Sequence, residues 1–276
     1  MHRRSFLRNA LGLGAAAVAV PTLVAGYGFA EATRLHIDRQ TIAVPRLPAA
    51  FRGLTVAFVT DIHHGPFVSE ADVAAVVRTT LALAPDLIVL GGDYSLRDGK
   101  YIAPCFELLA ALSAPLGVYG VLGNHDYRHG LAETRAGMKR AGIVELTNRG
   151  VPLEVGGGRL HLAGVDDLWH GQPDAAAALR GVTATDASIL VSHNPDFAET
   201  LRDRRVGLVL SGHTHGGQVV LPGYGAPALS SRYGRKYAHG LVEAPATQVY
   251  VSAGTGMSVL PVRVGCRPEI TRVTLA

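Results

Sequence analysis

Cysteine is scarce in this chain. Cys105 and Cys266 are the two present, and with no C-x-x-C pair they exclude a zinc ribbon and a disulfide framework. A single Cys105–Cys266 bridge and two independent thiols are both compatible with the sequence. A basic tract is lacking too. The formal charge is +4, but Arg3, Arg4 and Arg8 precede any acidic residue, and taking those three from 26 Lys+Arg leaves 23 against 22 Asp+Glu over residues 31–276. No Lys/Arg run is interleaved with aromatics, so no specific nucleic-acid partner is expected. Charged residues are only 17% of the chain against 48% hydrophobic, and 276 residues of that composition can bury one sizeable core. There is no linker, no internal repeat and no low-complexity tract beyond the N-terminus.

Residues 1–30 read as a leader, and residues 31–276 as one catalytic domain. Arg3-Arg4-Ser5-Phe6-Leu7-Arg8 resembles the twin-arginine export pattern, with His2 and Arg8 standing where that pattern has Ser or Thr and Lys. An uncharged stretch from Ala10 to Ala30 follows, and Gly28-Phe29-Ala30 offers the small residues that a signal peptidase reads. The same stretch is about long enough to span a bilayer, so the alternative to cleavage is an N-terminal anchor. Either way the chain is expected to use the twin-arginine machinery. It would reach the periplasm, the cell wall or the outer face of the cytoplasmic membrane.

Leu54 to Thr60 is a buried strand that delivers Asp61, and residues 35–44 read as an edge strand closed by Pro45 and Pro48. Ser69, with Asp72 three residues on, caps a helix carrying Val73, Val76, Val77 and Leu81, which Pro85 ends. Strands at 87–90 and 116–122 and helices at 102–112 and 131–141 continue a βαβαβα series, which implies parallel strands. Beyond Ile143 strands dominate. The segments 151–155 and 159–165 form a hairpin, and 188–191, 207–210, 218–221, 248–252 and 270–275 read as further strands. The expected fold class is α/β, with two mixed β-sheets packed as a sandwich flanked by helices.

Five motifs recur at the ends of these apolar runs. They are Asp61-Ile62-His63, Gly91-Gly92-Asp93, Gly123-Asn124-His125-Asp126, Val191-Ser192-His193-Asn194 and Gly212-His213-Thr214-His215. In an extended segment positions i and i+2 face the same way, so Asp61 with His63 and His213 with His215 are expected to point inward together. Oxygen and nitrogen donors without thiolate suit Mn, Fe or Zn and disfavour a structural zinc site. Two dications balanced by Asp61 and Asp93 leave about +2, which a bridging hydroxide and a phosphodiester anion bring near neutrality. Such a pair lowers the pKa of bound water towards about 7, and this predicts phosphoester hydrolysis.

These motifs, taken as D-x-H, G-D, G-N-H-D, H and G-H-x-H, resemble the calcineurin-like metallophosphoesterase superfamily. The resemblance implies a four-layer α/β/β/α fold and two divalent transition-metal ions. It assigns Asp61, His63 and His215 to one ion and Asn124, His193 and His213 to the other, with Asp93 bridging. His125 would be the acid for the leaving oxygen or hold the phosphoryl group, and Asp126 would orient it. Segments 212–218 and 233–240, with Pro261-Val262-Arg263 and Arg267-Pro268-Glu269-Ile270, resemble a narrower branch of exported phosphodiesterases that includes UDP-diacylglucosamine pyrophosphatase-like enzymes.

Around this set, His64, Arg97 and Arg128 are candidate substrate contacts; His64 reads more readily as a rim histidine, and the two arginines read equally as exposed loop residues. Arg232, Tyr233, Arg235, Lys236 and Tyr237 form a basic, aromatic loop suited to a phosphate, a nucleotide or a lipid headgroup, or to plain solvation. Trp169 and His170 read as packing or as a cleft border. Gly156-Gly157-Gly158 is a turn, with no helix start after it to make a phosphate cradle. The substrate expected is a small phosphodiester, a nucleotide or a phospholipid-like molecule. The alternatives are a phosphomonoesterase, a membrane-proximal pyrophosphatase acting on a nucleotide-sugar lipid through an apolar groove near Phe67 and Tyr101, and a binding scaffold without catalysis.

Overall fold

Alternation within each central strand decides the layering. In β2 (Thr55–Val59), which follows the edge strand β1 (His36–Ile42), Val56 and Phe58 point into one apolar cluster while Ala57 and Val59 point into another. Strand β3 (Leu87–Leu90) divides the same way, with Leu87 and Val89 on one face and Ile88 and Leu90 on the other. A strand apolar on both faces has to be covered on both. On the outer side the cover is α1 (Glu70–Ala82), α2 (Ile102–Leu109) and α3 (Asn124–Arg140), and on the inner side it is a second sheet.

The computed structural model describes residues 26–276, so Arg3, Arg4 and most of the leader lie outside the described residues. Residues 26–32 are helical, and among the described residues no helix is long and apolar enough to cross a membrane.

The first sheet runs β1-β12-β2-β3-β4-β5, with β4 (Val118–Gly120), β5 (Val144–Glu145) and β12 (Glu269–Leu275). Strands β2 to β5 are parallel and β12 enters antiparallel to β2. The second sheet runs β10-β11-β9-β8-β7-β6. Its strands are β6 (Arg149–Val155), β7 (Gly158–Gly164), β8 (Ala187–Val191), β9 (Leu208–Ser211), β10 (Gly240–Glu243) and β11 (Gln248–Val251). Its outer face is covered by short helices α4 (Ala175–Ala178) and α5 (Phe197–Thr200), so both sheets are mixed and the sandwich has helices on each side.

Three local expectations need correction. Residues 218–221 are not a strand: Gln218 sits at φ 55°, and its side chain donates to the carbonyls of Leu260 and Val262 and accepts from the Ser258 amide. A turn pinned from three sides cannot extend. The helix expected at 131–141 begins at Asn124, so the Gly123–Asp126 motif lies on a first helical turn rather than in a loop. Its register breaks at Gly130, whose φ of 150° suits glycine. The strand expected over 116–122 is only three residues long. The Ser69–Asp72 capping box is present as read, and both cysteines are free.

Candidate metal centre

Parallel strands β2, β3 and β4 end side by side and deliver Asp61, Asp93 and Asn124, while β8 and β9 of the facing sheet deliver His193 and His213. Two cross-sheet bonds lock the halves together: the His213 amide donates to Asp61 Oδ2 at 2.9 Å, and His193 Nδ1 donates to the Gly91 carbonyl at 2.8 Å. The backbone there is unusual. Asp61, His63, Asp93, His213 and His215 all have φ between 52° and 69°, the left-handed region. The extended i, i+2 geometry expected of Asp61/His63 and His213/His215 is therefore wrong, although both pairs do face the centre. Each such residue costs about 1–2 kcal/mol, and such strain persists where the surroundings over-determine it. Glycines make room for it: a Cβ at Gly212 would overlap the Asp61 carboxylate, and one at Gly123 would overlap that of Asp93.

The side chains form three overlapping groups, Asp61/His63/His215, Asp93/His193/His213 and, between them, His63/Asp93/His125, whose ligand atoms all lie within 4.8 Å of one another in each group. Asp93 Oδ2 stands 3.6 Å from His63 Nε2 and 3.2 Å from His193 Nε2, so it faces both outer groups. Asn124 Oδ1 is 3.2 Å from His193 Nε2. All seven residues expected as ligands are thus brought together.

Acceptors face acceptors here. With Nδ1 of His193 spent on Gly91, its Nε2 lone pair meets Asp93 Oδ2, Asn124 Oδ1 and His213 Nδ1. His63 Nε2 and His215 Nε2 approach to 3.0 Å, and Asp61 Oδ1 is buried with no hydrogen-bond partner. Groups that cannot donate to one another need protons or cations between them. Donor atoms arranged tetrahedrally about 2.1 Å from a shared ion would stand about 3.4 Å apart, close to the 3.0–3.6 Å found here. The residues fit a divalent metal centre.

The ionisation pattern agrees. Burial opposes charge on Asp61 and Asp93, yet the imidazoles beside them outweigh it and hold both carboxyls below their usual range. Burial pushes His213 down to about 3 and His215 well below its ordinary value, which keeps their lone pairs available. His193 is the exception: burial disfavours its charge, but Asp93 overrides this and raises it to about 10. Without ions, then, His193 carries the proton that separates the acceptors.

His125 is half-buried, its ring edge-on to His63 at 4.8 Å between centroids, and burial pushes it down to about 4. Asp126 does not orient it. The Asp126 carboxylate accepts the amides of Asp93, Tyr94 and Gly123 at 2.8–3.0 Å, so it shapes the loop that presents Asp93. Burial and Asp93 push that carboxyl up to about 7. The partner of the His125 ring is His129, which the sequence reading missed because it stopped at the four-residue motif. The i, i+4 spacing on a helix was the available signal.

The remaining candidates separate. His64 is buried and its Nδ1 donates to the Tyr101 carbonyl at 2.8 Å, so it is neither a rim residue nor turned to the centre. Arg97 lies over the Phe67 ring at 4.8 Å. Arg128 donates to His170 at 3.0 Å, and the neighbouring Trp169 meets the His213 ring at 4.3 Å, which puts these three on the rim. In the basic loop, Lys236 pairs with Glu199 and Arg235 covers Tyr224. The hollow beside Phe67 holds only about 70 Å³. A larger apolar groove of about 420 Å³ starts instead at Thr214 and His215 and is walled by Val219, Pro227, Leu229 and Leu260.

A sandwich whose parallel strands converge on paired carboxylates and imidazoles defines a metal-dependent phosphoester hydrolase. The family model described as calcineurin-like phosphoesterase matches residues 54–217, and the chain belongs to that family. It is 36% identical to the "Uncharacterized metallophosphoesterase YkuE" of Bacillus subtilis over 100% of this chain and 98% of that one. It is 33% identical to "Phosphodiesterase YaeI" of Escherichia coli over 80% and 81%. It is also 31% identical to the "Transmembrane protein with metallophosphoesterase domain" of Bos taurus over 99% of this chain and 63% of that one.

Proposed function

We propose that the protein is an exported phosphodiesterase with two metal ions. The observation that carries this reading is Asp93 Oδ2 facing two separate imidazole groups. Asp61, His63 and His215 would hold one ion and Asn124, His193 and His213 the other, with Asp93 shared. Mn, Fe or Zn suits this donor set. When bound, such ions acidify water and polarise phosphoryl oxygens.

The chain's own residues do the rest. Cross-sheet bonds and the Asp126 carboxylate hold the ligands in strained but fixed positions, so little reorganisation is needed when substrate arrives. His125 offers a proton to the leaving oxygen from the open side of the centre. A diester is favoured over a monoester because the second negative charge of a monoester would need an arginine. Arg263 is buried and held by the carbonyls of Ala253, Gly254 and Gly256, while Arg97 lies over the Phe67 ring and Arg128 turns its Nε to His170, so none of the three has a hydrogen bond to the carboxylates of the centre. The name of the Escherichia coli relative is in line with this. Hydrolysis of bis(p-nitrophenyl) phosphate well above p-nitrophenyl phosphate tests it, and the reverse preference refutes it.

A second reading has its own observation. The groove beginning at His215 is lined without any Asp, Glu, Lys or Arg, and Val259 and Leu260 at its edge are 76% and 53% exposed. That favours a phosphoester with an apolar arm, such as a nucleotide-sugar lipid, cleaved beside the membrane. Product analysis on diesters, monoesters and nucleotide-sugar lipids separates the readings. For export, changing Arg3 and Arg4 to Lys should trap the protein in the cytoplasm, and unchanged export would remove the twin-arginine route.

A further inference from the structure

His125 and His129 stand one helical turn apart on α3, and their rings meet at 5.3 Å between centroids and 36° between planes. His125 Nδ1 lies 3.1 Å from His129 Nε2. The His125 amide is meanwhile held by Asp93 Oδ1 at 2.8 Å, so main chain and ring are both fixed relative to the bridging carboxylate. The helix breaks immediately afterwards at Gly130, which makes His129 the last side chain of this turn. With Nδ1 engaged, Nε2 is the nitrogen of His125 left to meet a substrate.

We infer that His129 is a positioning residue for His125: it takes the Nδ1 side of the ring and so commits Nε2 to the leaving oxygen. The inference rests on His125 being the proton donor. As the P–O bond to the leaving group breaks, its electron pair stays on that oxygen, which takes the Nε2 proton. His125 therefore reacts as the imidazolium, which burial disfavours and the anionic substrate beside it favours; it keeps the Nδ1 proton, donated to His129 Nε2, and regains its Nε2 proton from solvent. The new P–O bond comes from water, whose surplus proton passes to solvent. An imidazole in this place has an advantage over a carboxylate. Asp61 and Asp93 already place two negative charges at the centre, and a third would bind cations or protons in competition with them. A neutral ring orients His125 without adding charge.

The test uses the metal-loaded full chain with two substrates, bis(p-nitrophenyl) phosphate and diphenyl phosphate, phenolate being the poorer leaving group. His129→Leu should lower kcat on diphenyl phosphate about tenfold, a part of the range typical of acid–base assistance. The loss on the nitrophenyl ester should be smaller, with KM and metal content little changed. His129→Gln, whose side-chain oxygen can accept from Nδ1, should restore most of the rate. Wild-type kcat on diphenyl phosphate in the Leu variant would overturn the inference. Equal losses on both substrates without rescue by Gln would overturn it in favour of a purely structural role. If His125→Ala itself shows no dependence on leaving group, the reading of His125 fails first, and that of His129 falls with it.

Discussion

Two clusters of acids and imidazoles lie on the sheets of this molecule, one buried and one with His239 exposed and Asp38 half-buried, and they differ in whether they are complete. At Asp38, His239 and Glu269 every partner is already supplied. His239 Nε2 donates to Glu269 Oε2 at 2.8 Å, Glu269 Oε1 accepts from Ser252 and from the Ala253 amide, and Asp38 accepts from Tyr250 and Gln40. At Asp61, His63, Asp93, His193, His213 and His215 the acceptors converge on one another, and Asp61 Oδ1, His63 Nδ1 and His213 Nε2 have no partner. Both sets pass a test of composition and proximity. What separates them is the supply of donors: the first is a closed hydrogen-bond network, and the second, even with a proton on His193, leaves buried atoms without partners that cations would supply.

Breaking each cluster should therefore have different consequences. The largest effect is expected for Asp93→Ala. Both ions should be lost and activity should fall by more than about 10⁴-fold, since the lowering of the pKa of water from about 15.7 towards 7 leaves with them. Metal analysis and initial rates check it. His125→Ala should keep the ions and lose about 10²–10⁴-fold, more on diphenyl phosphate than on the nitrophenyl ester. Retained metal with retained rate would remove His125 from the chemistry.

A third effect comes from His193. In the metal-free protein Asp93 holds this imidazole at about 10, so over ordinary pH an incoming ion displaces a proton. Affinity should rise about tenfold per pH unit between roughly pH 6 and 8, followed by competition with a chromophoric chelator. A flat profile would mean that His193 is already neutral.

The smallest effect belongs to the closed cluster. Glu269→Gln should leave metal content unchanged and cost about 1–3 kcal/mol of stability, the usual range for disturbing buried charge-assisted bonds. The bond to Glu269 raises His239 above its ordinary value. The part of the stability it supplies is therefore full below about pH 6.5, the unfolded value, and fades as the pH rises through the folded one. Thermal melts of both proteins across that window would show the difference shrink at higher pH.

The layers and the convergence of the seven candidate ligands were legible in the sequence because each rests on a local pattern: continuous apolar strands such as Leu87–Leu90, the Ser69–Asp72 box, and glycines beside Asp93 and His213. What escaped depends on contacts distant in the chain. Val144–Glu145 is a strand only because Tyr119 and Gly120 pair with it, and Gln218 is a turn only because the chain near 258–262 grips it. The left-handed backbone at five ligands leaves no mark in composition beyond neighbouring glycines. Asp126 was placed in the motif but given the wrong partner, because spacing says nothing of which amides a carboxylate will meet.

The central claim is that the orphaned cluster is a binuclear centre and the satisfied one is not. Elemental analysis of the full-length protein after loading with Mn or Zn and removal of loosely held ions tests this directly. The account predicts two ions per chain, kept in Glu269→Gln and lost in Asp93→Ala. None or one ion per chain, or two ions that persist in Asp93→Ala and disappear in Glu269→Gln, would contradict it.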